Sequence, residues 1–353
     1  MKILITGICG FVGSSLAAFF SQHAEGVELV GIDNLSRRGS ESNLAALKAL
    51  GCRFIHGDIR AREDVDELPA VDWIIDCAAN PSVLAGVNGG TAQLISHNLN
   101  GTLHLLEKCR RDKSGFVLLS TSRVYSIEAL NQVPLRAAGG RFEVDSAREK
   151  PTGFSEAGVT ESFPTSAPIS LYGATKLASE VMALEYAATF DFPVWINRCG
   201  VIAGPGQFGR IDQGVFSFWI YQWLLGKPLS FIGFDGSGRQ VRDFFSPADL
   251  GDLLLRQLRS GMGKGPRLYN VGGGAQSALS LQELNAFCAD RFGFPKEIIR
   301  NASPRPFDIP YYVTDYSLAA QHWGWAPKTD KYALLDQMYT WAVQHKKVIE
   351  SWS

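Results

Sequence analysis

Along the first third of the chain, short apolar runs rich in β-branched residues alternate with longer stretches whose apolar positions repeat at helical spacing. The runs Ile3–Ile5, Leu29–Ile32, Arg53–His56, Trp73–Cys77 and Phe116–Leu119, each bounded by Gly, Asp or Ser, predict buried parallel strands. Phe11–Gln22, Glu41–Leu50, Glu63–Leu68 and Gln93–Arg111 predict the helices between them. Strands alternating with helices imply right-handed βαβ crossovers and an α/β fold built on a doubly wound parallel sheet. Between residues 126 and 170 the periodicity fails in a stretch rich in Gly, Pro, Ser and Glu, which predicts a lid-like insert. A long helix follows, Leu171–Thr189, whose stripe Leu177, Val181, Leu184 and Ala188 is expected to dock on the sheet. A strand, Val194–Asn197, then leads into a less regular region. There Gln213–Leu225, Ser280–Phe292 and a closing Tyr332–His345 read as helices. The expected organisation is a first domain of residues 1–200 with segments returning near 235–270. About 201–234 and 271–353 then form a smaller, interleaved C-terminal α/β substrate domain.

Composition narrows the partners. The 353 residues carry 34 basic and 35 acidic side chains, a net charge of −1, which gives no support to a nucleic-acid or membrane-surface partner. No stretch approaches the roughly 20 apolar residues that cross a bilayer. Six scattered cysteines (Cys9, Cys52, Cys77, Cys109, Cys199, Cys288) form no CxxC pair and no zinc spacing, so free thiols and no metal are expected. Met1–Gly7 runs into a glycine loop after one short apolar run, unlike a signal peptide. The expected location is cytoplasmic.

The glycine loop Gly7-Ile8-Cys9-Gly10-Phe11-Val12-Gly13 follows a strand and opens a helix. The first glycine permits the tight turn, the second lets backbone approach a pyrophosphate, and the third lets helix and strand pack closely. Helix N–H groups at Phe11 and Val12 then face phosphate. Asp33, at the end of the second strand, is placed to accept ribose hydroxyls and to repel a 2′-phosphate, which favours NAD over NADP. Arg37 and Arg38 qualify that preference, since an arginine accommodates a phosphate. Asp58 is placed for the adenine amino group, or else for a helix N-cap.

Tyr172 and Lys176 lie four apart at the start of the long helix, hence on one face. A neighbouring lysine stabilises phenolate and makes tyrosine a usable general base. Together with the glycine loop, this pair resembles the extended short-chain dehydrogenase/reductases, specifically the NAD-dependent epimerase/dehydratase family, and the resemblance covers nearly the whole chain. It includes Asp33-Asn34-Leu35, Gly57-Asp58-Ile59-Arg60, Ala78-Ala79, Asn98-x-x-Gly101-Thr102, Ser120-Thr121-Ser122, Arg242-Asp243, Arg305-x-x-Asp308 and Gly324-Trp325-x-Pro327-Lys328. The resemblance implies a Rossmann-type sheet. It also implies Thr121, Tyr172 and Lys176 as the catalytic residues. Asn34, Arg37, Asp58, Ile59, Ala78, Ala79 and Asn98 then join the glycine loop, Asp33, Tyr172 and Lys176 around NAD. A nucleotide-diphosphate sugar is the implied substrate, bound by Ser122, Arg123, Gln207, Arg210, Asp212, Gln213, Arg239, Arg242, Arg305 and Asp308. It further implies a homodimer in which Leu103, Leu106, Tyr186 and Phe190 pack across a two-fold axis, although burial within one chain explains them equally.

Family dehydratases commonly carry Asp-Glu or Ser-Glu after the threonine, because eliminating water needs a carboxyl acid/base. Here Ser122-Arg123 stands there, and an arginine does not shuttle protons. The runs 33–39, 212–214 and 236–243 are most similar to the CDP-paratose (tyvelose) 2-epimerase branch. A UDP-sugar 4-epimerase or related oxidoreductase or dehydratase is the alternative enzyme. A non-catalytic dinucleotide-binding regulator is the alternative outside enzymes. Asp76-Cys77 replaces the family's usual His-Leu, Val201 its usual Asn, and Ser126 its usual Gly.

Overall fold

The computed structural model describes residues 1–210, 213–261 and 265–352. Seven parallel strands form the central sheet: β1 (Lys2–Thr6), β2 (Glu28–Asp33), β3 (Arg53–His56), β4 (Trp73–Asp76), β5 (Gly115–Thr121), β6 (Val194–Cys199) and β7 (Leu268–Val271). Their order is β7-β6-β5-β4-β1-β2-β3. The order in which successive strands are added therefore reverses between β1 and β4, and a doubly wound sheet opens a crevice at such a switch point.

Alternate residues of each strand face opposite layers. Ile3 and Ile5 pack with Leu16, Phe20, Leu250 and Leu254 on one side, while Leu4 packs with Ile74, Leu105, Phe116 and Ala183 on the other. Burial on both faces explains why these strands read as continuous apolar runs. Helix α1 (Phe11–His23) lies against α5 (Pro247–Ser260) so closely that a Cβ at Gly251 would come within 2.5 Å of the Phe19 ring.

Between β4 and β5 the predicted helix is continuous but contains a π turn, Ser96–Asn100, ahead of α2 (Gly101–Asp112). Helix α3 (Ser170–Phe190) follows the insert, and α4 (Val215–Leu224) opens the second region. The expected docking stripe on α3 holds only in part: Leu184 packs on the sheet core and Leu177 beside Tyr125 and Phe163, whereas Val181 is 53% exposed and Ala188 is also exposed. The buried face is Tyr172, Lys176, Ser179, Glu180 and Ala183. A polar face docks there because β5 and β6 offer Ser120 and Arg198 as partners for Glu180, and the backbone oxygen of Asn98 accepts from Ser179.

The second region centres on Val241–Phe245, which pairs antiparallel with Ala278–Ser280 and parallel with Tyr311–Tyr312 and Val201–Ile202. Its core holds Phe216, Trp219, Trp223, Phe244, Leu335 and Met338, so the aromatic run of α4 is chiefly core. Of the returning segment, α5 and β7 join the first layer system while 241–245 stays in the small sheet. Lys331–Gln344 does not close the chain, since Lys346–Trp352 forms one more helix.

The insert is built, although no apolar periodicity announced it. It carries a short helix, Ile127–Asn131, and a hairpin, Leu135–Ala138 with Arg141–Val144. It packs Tyr125, Phe163 and Tyr312 into a core of its own, and Phe142 N–H donates to the Arg239 carbonyl. None of residues 126–170 lines the main cavity, so the lid expectation does not hold.

Asp243 sits fully buried on the central strand of the small sheet, its Oδ2 accepting the Gly274 N–H at 3.0 Å. Burial pushes this carboxyl up to about 6. A carboxyl whose folded pKa lies above its unfolded value binds more protons when folded, so its contribution to stability falls as pH rises from about 4 to about 6. Asp243→Asn should therefore flatten the stability–pH curve across that window. Denaturation midpoints of both proteins at pH 4, 5, 6 and 7 test this, and parallel curves would refute it.

Candidate active site

One cavity of about 830 Å³ opens along the carboxyl ends of the central strands and continues into the second region. It is long enough in residue content to hold two ligand parts, and its two ends differ in chemistry.

At the β1–β2 end, the glycine loop lines the wall. Gly7 takes a positive φ of 59°, and a Cβ there would come within 3.0 Å of the Ala78 backbone. A Cβ at Gly13 would come within 2.4 Å of the Gly7 carbonyl, so helix and loop close only around glycine. Helix α1 starts after Gly10 with no side-chain cap and no acidic residue in its first turn. Its leading N–H groups, at Phe11, Val12 and Gly13, lack intrahelical partners and favour an anion. Asp33 accepts from the Cys9 and Leu35 N–H groups, which fixes its carboxylate at the cavity wall. Asn34 donates to Asp58, and Arg60 grips the same carboxylate at 2.6 Å, holding its pKa well below the usual range. The helix after Asp58 starts beyond Ala61, so Asp58 is a cavity residue rather than a cap. Ile59, Ala78 and Ala79 complete this end. Arg37 lies on the wall too, donating to Gln213 Oε1 at 2.8 Å and to the Phe208 carbonyl, and Arg38 donates to the Ser351 carbonyl. Both arginines thus tie the Asp33 loop to the second region. The glycine cradle, the uncapped helix start and the acid at the end of β2 fit a dinucleotide.

Asn98 was expected here and is not. It is fully buried in the π turn and absent from the wall, its amide satisfied by the Asn80 backbone and Thr175. It acts on the cavity only by holding the loop that presents Asn80 and by bracing α3. Helical spacing does not reveal a π turn, which rotates the side chains that follow it.

At the β5–β6 end, Thr121, Ser122, Arg123, Tyr172 and Lys176 converge on the wall. Strand β5 ends at Thr121, whose side chain accepts the Arg123 N–H at 3.1 Å and acts on the Tyr172 phenol. Lys176 follows one helical turn later and is 2% exposed. Burial pushes the Tyr172 phenol up to about 12, while the Thr121 hydrogen bond and the Arg123 charge pull it down. Against the expectation of a phenol lowered by Lys176, burial outweighs the Arg123 charge here. Cys77 and Cys199 also line this part, and all six cysteines are free thiols.

Further along, Arg242 donates to Asp308 at 3.0 Å and to the Ile309 carbonyl at 2.6 Å, and Arg123 donates to the Phe307 carbonyl at 3.1 Å. Arg305 lies in the same loop. Burial lowers the pKa of Arg123 and brings that of Arg242 to about 10, with Arg305 opposing the positive charge of both. Three guanidinium groups face one carboxylate, and such an excess attracts a polyanion.

Gln207, Arg210 and Gln213 lie on the wall, though Gln207 spends its amide on the Ile202 carbonyl and Ser217. Asp212 lies outside the described residues. Arg239 is a correction: it is absent from the wall and donates to the Gly139 carbonyl, because its glycine-rich loop turns toward the insert hairpin. Among the dimer candidates, Leu106 is core within its own chain, whereas Phe190 remains 45% exposed. Asn80, Arg60 and Phe307 are wall residues that no spacing rule signalled, since each reaches the cavity through a loop. Among the described residues, no cluster of His, Cys, Asp or Glu forms a metal site, and no helix is long and apolar enough to cross a membrane.

Against known proteins, the model of the NAD dependent epimerase/dehydratase family matches residues 3–272. The chain belongs to this family. It is 30% identical to the CDP-paratose 2-epimerase of Salmonella typhi, over 97% of this chain and 99% of that one. It is 28% identical to a dTDP-glucose 4,6-dehydratase of Xanthomonas campestris pv. campestris, over 92% and 88%. Among solved structures, the UDP-glucuronic acid 4-epimerase of Bacillus cereus in complex with UDP-glucuronic acid and NAD superimposes with a TM-score of 0.77 at 26% identity, covering 98% and 99%. The protein is an NAD-dependent enzyme of the epimerase/dehydratase type. When bound, NAD supplies a hydride acceptor that can return what it takes.

Proposed function

We propose that the protein is a CDP-hexose 2-epimerase, which oxidises a sugar hydroxyl transiently and restores the carbon with inverted configuration. One observation carries the choice against elimination. Among the described residues, the only carboxylates on the cavity wall are Asp33, Asp58 and Asp308. The first two stand at the dinucleotide end and the third is paired with Arg242. Among the described residues, no carboxyl group on the wall accompanies Thr121 and Tyr172, so none of them removes and returns the protons of a dehydration. The similarity to the Salmonella typhi enzyme over nearly both full lengths supports the base and the carbon.

In this reading Tyr172 takes the proton of the reacting hydroxyl, held by Thr121, and returns it at the end of the cycle. Lys176 holds the ribose next to the nicotinamide and keeps positive charge beside the phenol. Arg242 and Arg305 hold the diphosphate, with Asp308 orienting Arg242, and Ser122 and Gln213 contribute to the sugar and base walls. The burial that raises the tyrosine pKa also keeps water from the keto sugar.

The test is incubation with CDP-, UDP-, GDP- and dTDP-hexoses, followed by NMR of the sugars. The expected product is the C2 epimer of a CDP-hexose, carrying little solvent deuterium at C2 when the reaction runs in deuterium oxide. A 4-keto-6-deoxy product, inversion at C4, or full deuterium incorporation would overturn the proposal.

A further inference from the structure

Arg123 occupies a position that neither the dinucleotide nor the proton transfer requires. Its backbone N–H is bound by Thr121 Oγ1, and its carbonyl lies so near Gly173 that a Cβ there would come within 2.2 Å. It is therefore clamped against the residue that follows the catalytic tyrosine. Its guanidinium reaches the other way and donates to the Phe307 carbonyl at 3.1 Å, beside Asp308 and its Arg242 partner. Arg123 thus spans from the reacting centre to the anion-binding loop.

That span restricts which carbon can react. In a nucleotide-diphosphate hexose the sugar-bearing phosphate hangs from C1. The C2 hydroxyl is its immediate neighbour, whereas the C4 hydroxyl lies across the ring. Arg123 lies on the same wall as Tyr172 and its charge acts on that phenol, so a phosphate held by it is drawn toward the tyrosine, and the hydroxyl that then meets Tyr172 is the one vicinal to the phosphate. Val201, also on the wall, offers no polar side chain that would draw the phosphate elsewhere.

We propose that Arg123 binds the sugar-bearing phosphate beside Tyr172 and so sets oxidation at C2 rather than C4. This rests on the reading of the enzyme as a nucleotide-sugar 2-epimerase. The phosphate on the nucleoside side falls to Arg242 and Arg305, and Arg123 meets only the second phosphate. Its charge also acts directly on Tyr172, Asp308 and Arg305, as expected of a group between the two subsites.

The experiment measures binding of CMP and CDP to NAD-loaded wild type, Arg123→Gln and Arg123→Lys by calorimetry, together with NMR of the epimerised sugars. Losing one charge-assisted contact should weaken CDP by roughly tenfold to a hundredfold in Arg123→Gln. CMP, which lacks the second phosphate, should bind within about twofold of wild type, a split that a general structural defect does not produce. Arg123→Lys keeps the charge and should recover most of the CDP affinity, and it serves alone if Arg123→Gln does not fold, with CDP weakened more than CMP. C2 inversion should slow in Arg123→Gln, and any new product should be inverted elsewhere on the ring. Equal effects on CMP and CDP, or unchanged CDP affinity, overturn the inference. If wild type inverts C4, the function itself is wrong. If wild type inverts C2 and Arg123→Gln does so at an unchanged rate, only the role of Arg123 is wrong.

Discussion

Replacing Tyr172 by phenylalanine should lower turnover by about 10²–10⁴-fold, the range that a positioned acid/base contributes, while leaving the fold and bound NAD in place. The ring is buried between Thr121 and the first turn of α3, and phenylalanine fills the same volume. What disappears is the hydroxyl that, in the proposed cycle, takes the sugar proton. Because burial raises this phenol to about 12, its base form is scarce near neutral pH in the ligand-free protein. The pH profile of wild-type kcat/KM should therefore rise on the alkaline side, and the residual activity of Tyr172→Phe should lack that limb. Rates and profiles on the epimerised substrate check this, with NAD content measured from absorbance after denaturation. A variant that keeps more than about a tenth of the rate would remove Tyr172 from the proton transfer.

The largest stability effect is expected one layer beneath the site. Glu180 on α3 and Arg198 on β6 are 2% and 7% exposed, joined by Nε contacts of 3.0 and 3.2 Å and an Nη2 contact of 2.7 Å. Ser120 donates to the same carboxylate, and the guanidinium lies over the Tyr125 ring at 5.0 Å. Arg198→Met strands a buried carboxylate and should cost about 3–5 kcal/mol. The double variant Arg198→Met with Glu180→Met removes both charges and should recover a large part of that loss, since an apolar pair of similar size carries no desolvation penalty. Urea unfolding of the two variants and wild type measures the difference. A single-variant loss below about 1 kcal/mol would show the pair to be exposed to water in solution. The consequence for function is indirect: Arg198 ties Glu180 of α3 to β6 and Ser120 ties it to β5, which together hold α3, and so Tyr172, against the end of β5.

The glycine loop, Asp33, the end of β5 and the Tyr172/Lys176 pair were legible because each is local. A turn that needs glycine, an acid at a strand end and two residues one helical turn apart all express themselves within a few positions of chain. The central strands were legible for a related reason, since burial on both faces leaves uninterrupted apolar runs. What was misjudged depended on the partner surface. Val181 and Ala188 of the expected α3 stripe point outward because the sheet offers Ser120 and Arg198 to the polar face of the helix, and helical periodicity reports a stripe without saying what lies opposite. The insert gave no periodic signal because its apolar residues Leu130, Val159 and Phe163 pack singly with distant residues such as Tyr125, Ile309 and Tyr312.

By itself, then, the sequence specified the sheet, the dinucleotide cradle and the Tyr172/Lys176 pair, because short-range backbone and spacing rules govern them, whereas Thr121 was implied only by the family resemblance. Only the tertiary structure decided that Arg123, Arg242 and Arg305 share one cavity wall while Arg239 turns away to the insert. It also showed that Asn98 supports the site from behind. Electrostatic convergence between loops 123, 242 and 305 depends on distances across the fold, and no periodicity along the chain encodes those distances.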